Sequence, residues 1–405
     1  MAERSAIVAM WRKEQDPSAV LATLVRVDGS SYRRPGARMY IHANSYAGSI
    51  SGGCLEGEVV RKARWLTRNG AAVKTYSTIF DESIPEENRE IPYGLGCGGV
   101  IDLLLEPVAL PETQAMLLAL EAAQRGETFF SATVLPSQEH PGAAFARVVL
   151  REDGFTVFSS ACLDEAKLAR LKQMAIDATD SDTVSTSVCG EARSIFLEAI
   201  RPPQRLVILG AGDDVRPLVE MARLLGWRVV VADGRGWLAQ PARFPQAEQV
   251  LTLADDAANL DDLHLTARDA VAMLTHSFEQ DKKLLRKLLP LKLRYLGLLG
   301  ARHRSQLLLS EAAQQLGWTP EECLGRVHAP IGLNLGGDNP ESVALSIVAE
   351  IQAVLHNKAA ASRVMSAEAL QAVPARPYIP TQCPLDGPPQ ASNDAQTSNV
   401  EQPIH

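Results

Sequence analysis

The feature that most constrains the fold lies in the second half of the chain. Residues 206–209 form a short apolar run, Gly210-Ala211-Gly212 follows at once, and a helix is predicted over 215–225. A second apolar run over 227–232 then ends at Asp233. A strand that enters a helix through two closely spaced glycines and returns as a strand ending in an acid is the βαβ unit of a doubly wound, Rossmann-like parallel sheet. Further strands fit 270–274 and 295–299, and further helices fit 281–289, 304–316 and 340–355. Residues 201–360 therefore read as one α/β domain, bounded in front by Arg201-Pro202-Pro203.

The preceding residues have a different rhythm. Residues 1–110 read as mixed strand and helix, with strands over 20–27, 37–42, 46–51, 73–80 and 100–106. Leu55, Val59, Ala63 and Leu66 recur at helical spacing, and that helix should end near Asn69-Gly70. Residues 111–200 form an intermediate α/β segment: a helix over 112–125 stopped by Gly126, extended stretches over 128–135, 146–150 and 156–159, and a helix over 163–178. Residues 361–405, rich in Pro, Gln, Asn and Ser beyond Val373, read as a disordered tail.

With 405 residues and a net charge of −8, the chain has room for two or three domains and offers no basic stripe for nucleic acid. No apolar run is long enough to span a bilayer, and the N-terminus lacks the pattern of a secretory signal. Six irregularly spaced cysteines do not form a disulfide framework. The cytoplasm is the simplest compartment.

Chemistry concentrates in two glycine-rich loops with one cysteine each, Ser51-Gly52-Gly53-Cys54-Leu55-Glu56-Gly57 and Gly94-Leu95-Gly96-Cys97-Gly98-Gly99. Glycines at Gly52, Gly53, Gly96, Gly98 and Gly99 let backbone N–H groups approach a ligand closely. Cys54 precedes a predicted helix, where the helix dipole favours a thiolate. Cys54 and Cys97 are thus candidate metal ligands or sulfur carriers; the alternative is a small cysteine packed beside glycine. Glu56 and Glu58 fit the first helical turn, and Glu56 can also position a ligand proton. No CxxC or HxxxH spacing accompanies either cysteine, so a closed zinc site is not expected. Arg33 and Arg34, with Arg38 nearby, suit a phosphate, or form a basic loop on an acidic protein. Cys162, Cys189 and Cys323 lack such settings and read as structural.

In the C-terminal domain, Gly210 and Gly212 are placed to bind a phosphate and Asp233 to bond a ribose hydroxyl. Val215 replaces the usual third glycine, and Asp213 and Asp214 would repel a pyrophosphate. Nucleotide binding and a retained fold with an altered site both fit. Thr275-His276 stands at the carboxyl end of a predicted strand, where ligands bind in open sheets. Gly300-Ala301-Arg302-His303-Arg304 and the glycine-rich loop 330–337 follow similar positions.

Together these segments, with Gly29-Ser30-Ser31-Tyr32-Arg33-Arg34-Pro35-Gly36, residues 295–302 and Pro330-Ile331-Gly332-Leu333, resemble the XdhC/CoxI family of accessory proteins for molybdenum hydroxylases. The resemblance implies an N-terminal cofactor domain and a C-terminal Rossmann domain. It implies binding and protection of molybdenum cofactor in its molybdopterin form, help with its sulfuration by a cysteine desulfurase, and insertion into a xanthine dehydrogenase-type apoenzyme. It also implies a homodimer and a non-catalytic role. Asp213 departs from the histidine of many relatives. The competing reading is an NAD(P)-dependent oxidoreductase built on the C-terminal domain, although no Tyr/Lys or His/carboxylate spacing for hydride transfer stands out. A scaffold that bridges desulfurase and hydroxylase without binding pterin is a third.

Overall fold

The computed structural model describes residues 2–77, 99–136, 145–178, 181–188, 191–253 and 260–358. Within them, three five-stranded sheets follow one another along the chain. Residues 96–98, the tail and Cys189 lie outside the described residues, so the expectations placed on Gly96, Cys97 and Gly98 do too.

The first sheet contains β1 (Val20–Asp28), β2 (Arg38–His42), β3 (Ser45–Gly48), β4 (Ala72–Ser77) and β5 (Val100–Pro107). Its order is β3-β2-β1-β5-β4, antiparallel throughout. Helix α2 (Glu56–Leu66) packs Val59 and Ala63 onto one face, beside Leu24, Met39, Ile50 and Leu103. A helix not foreseen from the sequence, α1 (Ala2–Glu14), covers β2 and β3 from the other side. Its signal was the spacing of Ile7, Val8 and Trp11, which are all buried.

The second sheet is formed by β6 (Phe129–Val134), β7 (Ala146–Arg151), β8 (Thr156–Ser159), β9 (Asp182–Val188) and β10 (Glu191–Ile200), in the order β8-β7-β6-β10-β9. Helices α3 (Pro111–Gln124) and α4 (Glu165–Asp177) complete it. The last two strands were not anticipated. Stretches such as Asp182-Thr183-Val184-Ser185-Thr186 put small polar residues where strand patterns lead one to expect large apolar ones.

The first two sheets share a core of Ile7, Trp11, Leu21, Tyr40, Met116, Leu120, Phe129 and Val149. Two buried ion pairs cross between them. Arg38 of β2 donates to both carboxylate oxygens of Glu198 on β10, at 2.6 Å for Nη1 to Oε1. Arg147 of β7 donates to Glu106 of β5 at 2.7 and 3.2 Å, and to Thr133 and the Glu112 carbonyl. Removing four charges from water is costly, and bidentate geometry with extra hydrogen bonds offsets that cost. Arg38, counted from the sequence with the basic loop, is therefore part of this joint.

The third sheet is parallel: β11 (Arg205–Leu209), β12 (Arg228–Asp233), β13 (Gln249–Thr252), β14 (Ala270–Met273) and β15 (Tyr295–Leu298), ordered β13-β12-β11-β14-β15. Helices α5 (Val215–Leu224) and α9 (Pro340–Leu355) cover one face, and α6 (Phe278–Leu288), α7 (Arg302–Leu316) and α8 (Pro320–Leu324) the other. This is the Rossmann-like domain expected from the glycine turn, with chain order reversing between β11 and β14. Arg268 joins it to the second sheet through Thr128 (2.8 Å) and Glu152.

Candidate functional site

The cysteine loop runs from the end of β3 to the start of α2, and a buried carboxylate shapes it. Glu56, in the first turn of α2, turns back under the loop and accepts from the backbone N–H of Ser51 at 2.9 Å and of Ile50 at 3.2 Å. The Ser51 hydroxyl donates to its other oxygen. The Ser49 hydroxyl stands 2.9 Å from the carboxylate and 2.7 Å from the Ser51 carbonyl. Burial alone would push the Glu56 pKa up, yet these donors win and hold it below the ordinary carboxylate value. The oxygens of Glu56 are thus turned to the loop's own donors.

Ser51 is pinned from below, and the next three residues are lifted out. Gly52, Gly53 and Cys54 are exposed while Ser51, Leu55 and Glu56 are buried. Gly53 has φ +107°, and nothing lies within 4 Å of where its Cβ would stand. Glycine is needed there for the backbone, and the space above it is open. Leu55 is the residue ahead of α2, so the Cys54 thiol is presented just before the helix N-terminus.

The loop between β1 and β2 lies beside it. A Cβ on Gly52 would stand 3.8 Å from the ring of Tyr32. A Cβ on Gly99 would come within 2.2 Å of the Ser30 carbonyl, so Gly99 allows the start of β5 to press on the same loop. The 29–36 loop therefore lies against Gly52 through Tyr32 and against Gly99 through Ser30. Arg33 pairs with Glu3 of α1, while Arg34 is exposed. Glu58 pairs with Lys62 at 2.8 Å. Of the other cysteines, Cys323 is buried, and burial raises its pKa, whereas Cys162 is exposed in a turn rather than packed.

The carboxyl edge of the parallel sheet is a separate region of the molecule. Gly210 has φ +128°, and a Cβ there would meet the Leu274 carbonyl at 2.2 Å, which explains the glycine by packing alone. Asp233 is buried and accepts from Ala211 N at 2.7 Å and from Arg235 N, Nε and Nη2 at 2.8, 2.9 and 2.7 Å. Burial would raise its pKa; the donors from Arg235 and Ala211 lower it. His276 Nε2 lies 2.9 Å from Asp214 Oδ2. Asp213 pairs with Arg243 at 2.9 Å. Gly210, Gly212, Asp233 and His276, singled out from the sequence, stand at this edge. The sequence did not reveal that Arg235 and Asp214 would occupy two of them.

Among the described residues no group of three or more His, Cys, Asp and Glu side chains is placed to hold a metal ion. No described helix is long and apolar enough to cross a membrane.

Comparison with known proteins agrees with this architecture. The chain is 29% identical over 340 residues to a "Probable xanthine dehydrogenase" subunit of Bacillus subtilis, in a match that covers 84% of this chain and 93% of that protein. It is 26% identical over 351 residues to the "Molybdenum cofactor insertion chaperone PaoD" of Escherichia coli, at 84% and 85% coverage. A crystal structure described as a xanthine dehydrogenase from Bacillus halodurans superposes with a TM-score of 0.70 and 26% identity, covering 91% of this chain and 99% of that one. Residues 11–77, which carry the Cys54 loop, match the XdhC and CoxI family, and residues 206–351 match the XdhC Rossmann domain. The chain belongs to the XdhC/CoxI family.

Proposed function

We propose that this protein binds molybdenum cofactor and inserts it into a molybdenum hydroxylase of the xanthine dehydrogenase type, supporting sulfuration of the cofactor before hand-over. The observation that carries the reading is the exposed Cys54 thiol, raised on an open glycine backbone whose base is fixed by buried Glu56. The likeness to a molybdenum cofactor insertion chaperone of Escherichia coli supports it.

The donor set suits the cargo. Molybdenum cofactor is a pterin with a dithiolene-bound metal and a phosphate. A thiolate is a soft ligand for such a metal or a carrier of sulfur. Exposed loop backbone and the guanidinium of Arg34 suit the phosphate. One thiol per loop gives reversible ligation, which serves transfer better than a closed site. Cys97 is assigned as the second thiol by this reading, and a cysteine desulfurase and an apo-hydroxylase are its partners. The cytoplasm and a homodimer complete the assignment. The oxidoreductase reading draws no support from the Rossmann edge, where Asp233 is already saturated by protein donors.

The test is a release assay. The protein is purified from cells that make molybdenum cofactor, denatured, and assayed for oxidised pterin fluorescence and for molybdenum by mass spectrometry. Both should be present in the wild type and lost in Cys54→Ala and Cys97→Ala. Absence of both from the wild type, even after incubation with free cofactor, overturns the reading and leaves a scaffold.

A further inference from the structure

A cavity of about 370 Å³ opens at the carboxyl edge of the parallel sheet, lined by Arg235, Ser277, Glu279, Gln280 and Lys283. Its walls are the loop after β12 and the first turns of α6. Arg235 and Lys283 are the cations of the lining, and Glu279, which also lines it, is paired with Lys282 at 3.0 Å. A Cβ on Gly234 would come within 2.9 Å of Gln280 Nε2, so the bare backbone there lets the amide lie against the loop.

Both anchor points of an ordinary dinucleotide are already taken. The acid that would accept ribose hydroxyls, Asp233, is used by Ala211 and Arg235. Its effect here is to fix the Arg235 guanidinium, whose side chain stays 38% exposed at the cavity. The N-terminus of α5, where a pyrophosphate would sit, is covered by Asp214: a Cβ on Gly212 would meet its Oδ1 at 2.4 Å. The same carboxylate holds His276, whose φ of +57° is a left-handed conformation that costs a non-glycine residue about 1 kcal/mol. A pyrophosphate placed there would face a carboxylate.

We propose that this cavity is a phosphomonoester site, with Arg235, positioned by Asp233, and Lys283 taking the terminal phosphate, and with Asp214 excluding dinucleotides. A terminal phosphate carries about −1.5 to −2 charge near neutral pH and three acceptor oxygens, which suit a fixed guanidinium fork beside an ammonium. The Ser277–Gln280 turn supplies the polar wall. Two sources share this chemistry, a nucleoside monophosphate and the phosphate of a pterin. A nucleoside monophosphate here goes beyond the cofactor-insertion reading; a pterin phosphate rests on that reading and takes Arg235 and Lys283 as its partners in place of Arg34, and neither makes use of Cys54.

The full-length protein is titrated with AMP, neopterin monophosphate and NAD⁺ by isothermal titration calorimetry. At least one monoester should bind about tenfold or more tightly than NAD⁺, and lose about tenfold in Arg235→Ala and in Lys283→Ala. Because Arg235→Ala strips buried Asp233 of its cation, Lys283→Ala and Arg235→Lys, each checked by thermal melting, keep the test independent of folding. Tighter binding of AMP identifies a free nucleotide; tighter binding of the pterin identifies the cofactor's own phosphate. Asp214→Ser should raise NAD⁺ affinity. The proposal is overturned if NAD⁺ binds as tightly as the monoesters, if neither monoester binds, or if Lys283→Ala leaves binding unchanged. Cys54→Ala should leave monoester binding intact, so this result and the release assay fail separately.

Discussion

Replacing Glu56 by alanine removes the support under the cysteine loop, and the structure gives a magnitude for the effect. In the wild type the carboxylate takes the Ser51 N–H at 2.9 Å, the Ile50 N–H at 3.2 Å and the Ser51 hydroxyl. Hydrogen bonds to a charged group contribute roughly 1.5–3 kcal/mol each, and a buried donor left alone costs about 1–3 kcal/mol. The Ser51 hydroxyl can turn to other acceptors, and the Ile50 bond is long. Counting the Ser51 amide fully and the others partly gives about 3 kcal/mol for local opening. At 1.4 kcal/mol per tenfold, the amides of residues 50 and 51 should then exchange with deuterium more than about a hundredfold faster. Hydrogen exchange resolved to a peptide spanning 45–60 reads this directly. The retained strands β1 and β5 serve as the internal control. Exchange within about threefold of wild type would refute the assignment of Glu56 as the clamp. The pH dependence has a definite sign. The folded carboxylate has a lowered pKa, so its contribution is fully present above the unfolded value of about 4.3 and is lost as pH falls through the folded value. Loop protection should therefore be flat near neutrality and collapse only in acid.

Three further perturbations probe the frame around the sites. Glu198→Ala leaves Arg38 buried without its partner and should cost about 3–5 kcal/mol by denaturant melting, whereas Arg38→Met with Glu198→Leu should recover most of it; equal losses would contradict a pairwise account. Gly210→Ala forces a Cβ against the Leu274 carbonyl at positive φ and should destabilise the Rossmann domain by more than about 2 kcal/mol with no ligand present, read by its thermal transition; a neutral result would return that glycine to ligand binding. Glu350 accepts from Gly332 N at 2.9 Å and from Tyr295, beside His328 at 3.4 Å. Burial would raise its pKa, but those partners hold it low, so the contact of α9 with β15 should persist above about pH 4.3 and weaken as pH falls through the lowered value. Glu350→Gln should abolish that acid-dependent step in melting curves.

How much was legible in the chain depends on the range of the interaction responsible. The strand–glycine–helix–strand–acid order of 206–233 led to a parallel sheet because each signal acts over a few residues: apolar period, turn conformation, helix start. The same local logic put Cys54 ahead of α2. Helix α1 and strands β9 and β10 escaped because their patterns are weak alone and their stability comes from faces supplied by distant segments. The partners of the polar side chains were beyond any local reading. Arg38 meets Glu198 across 160 residues, Arg147 meets Glu106 across 41, and His276 meets Asp214 across 62. A sequence shows that a charge exists, but only packing decides what neutralises it. The chain by itself therefore determined the fold class and the thiol loop. The tertiary structure decided that one arginine of the basic stretch is a strut, that Glu56 faces inward, and that the dinucleotide anchors are occupied by the protein's own side chains.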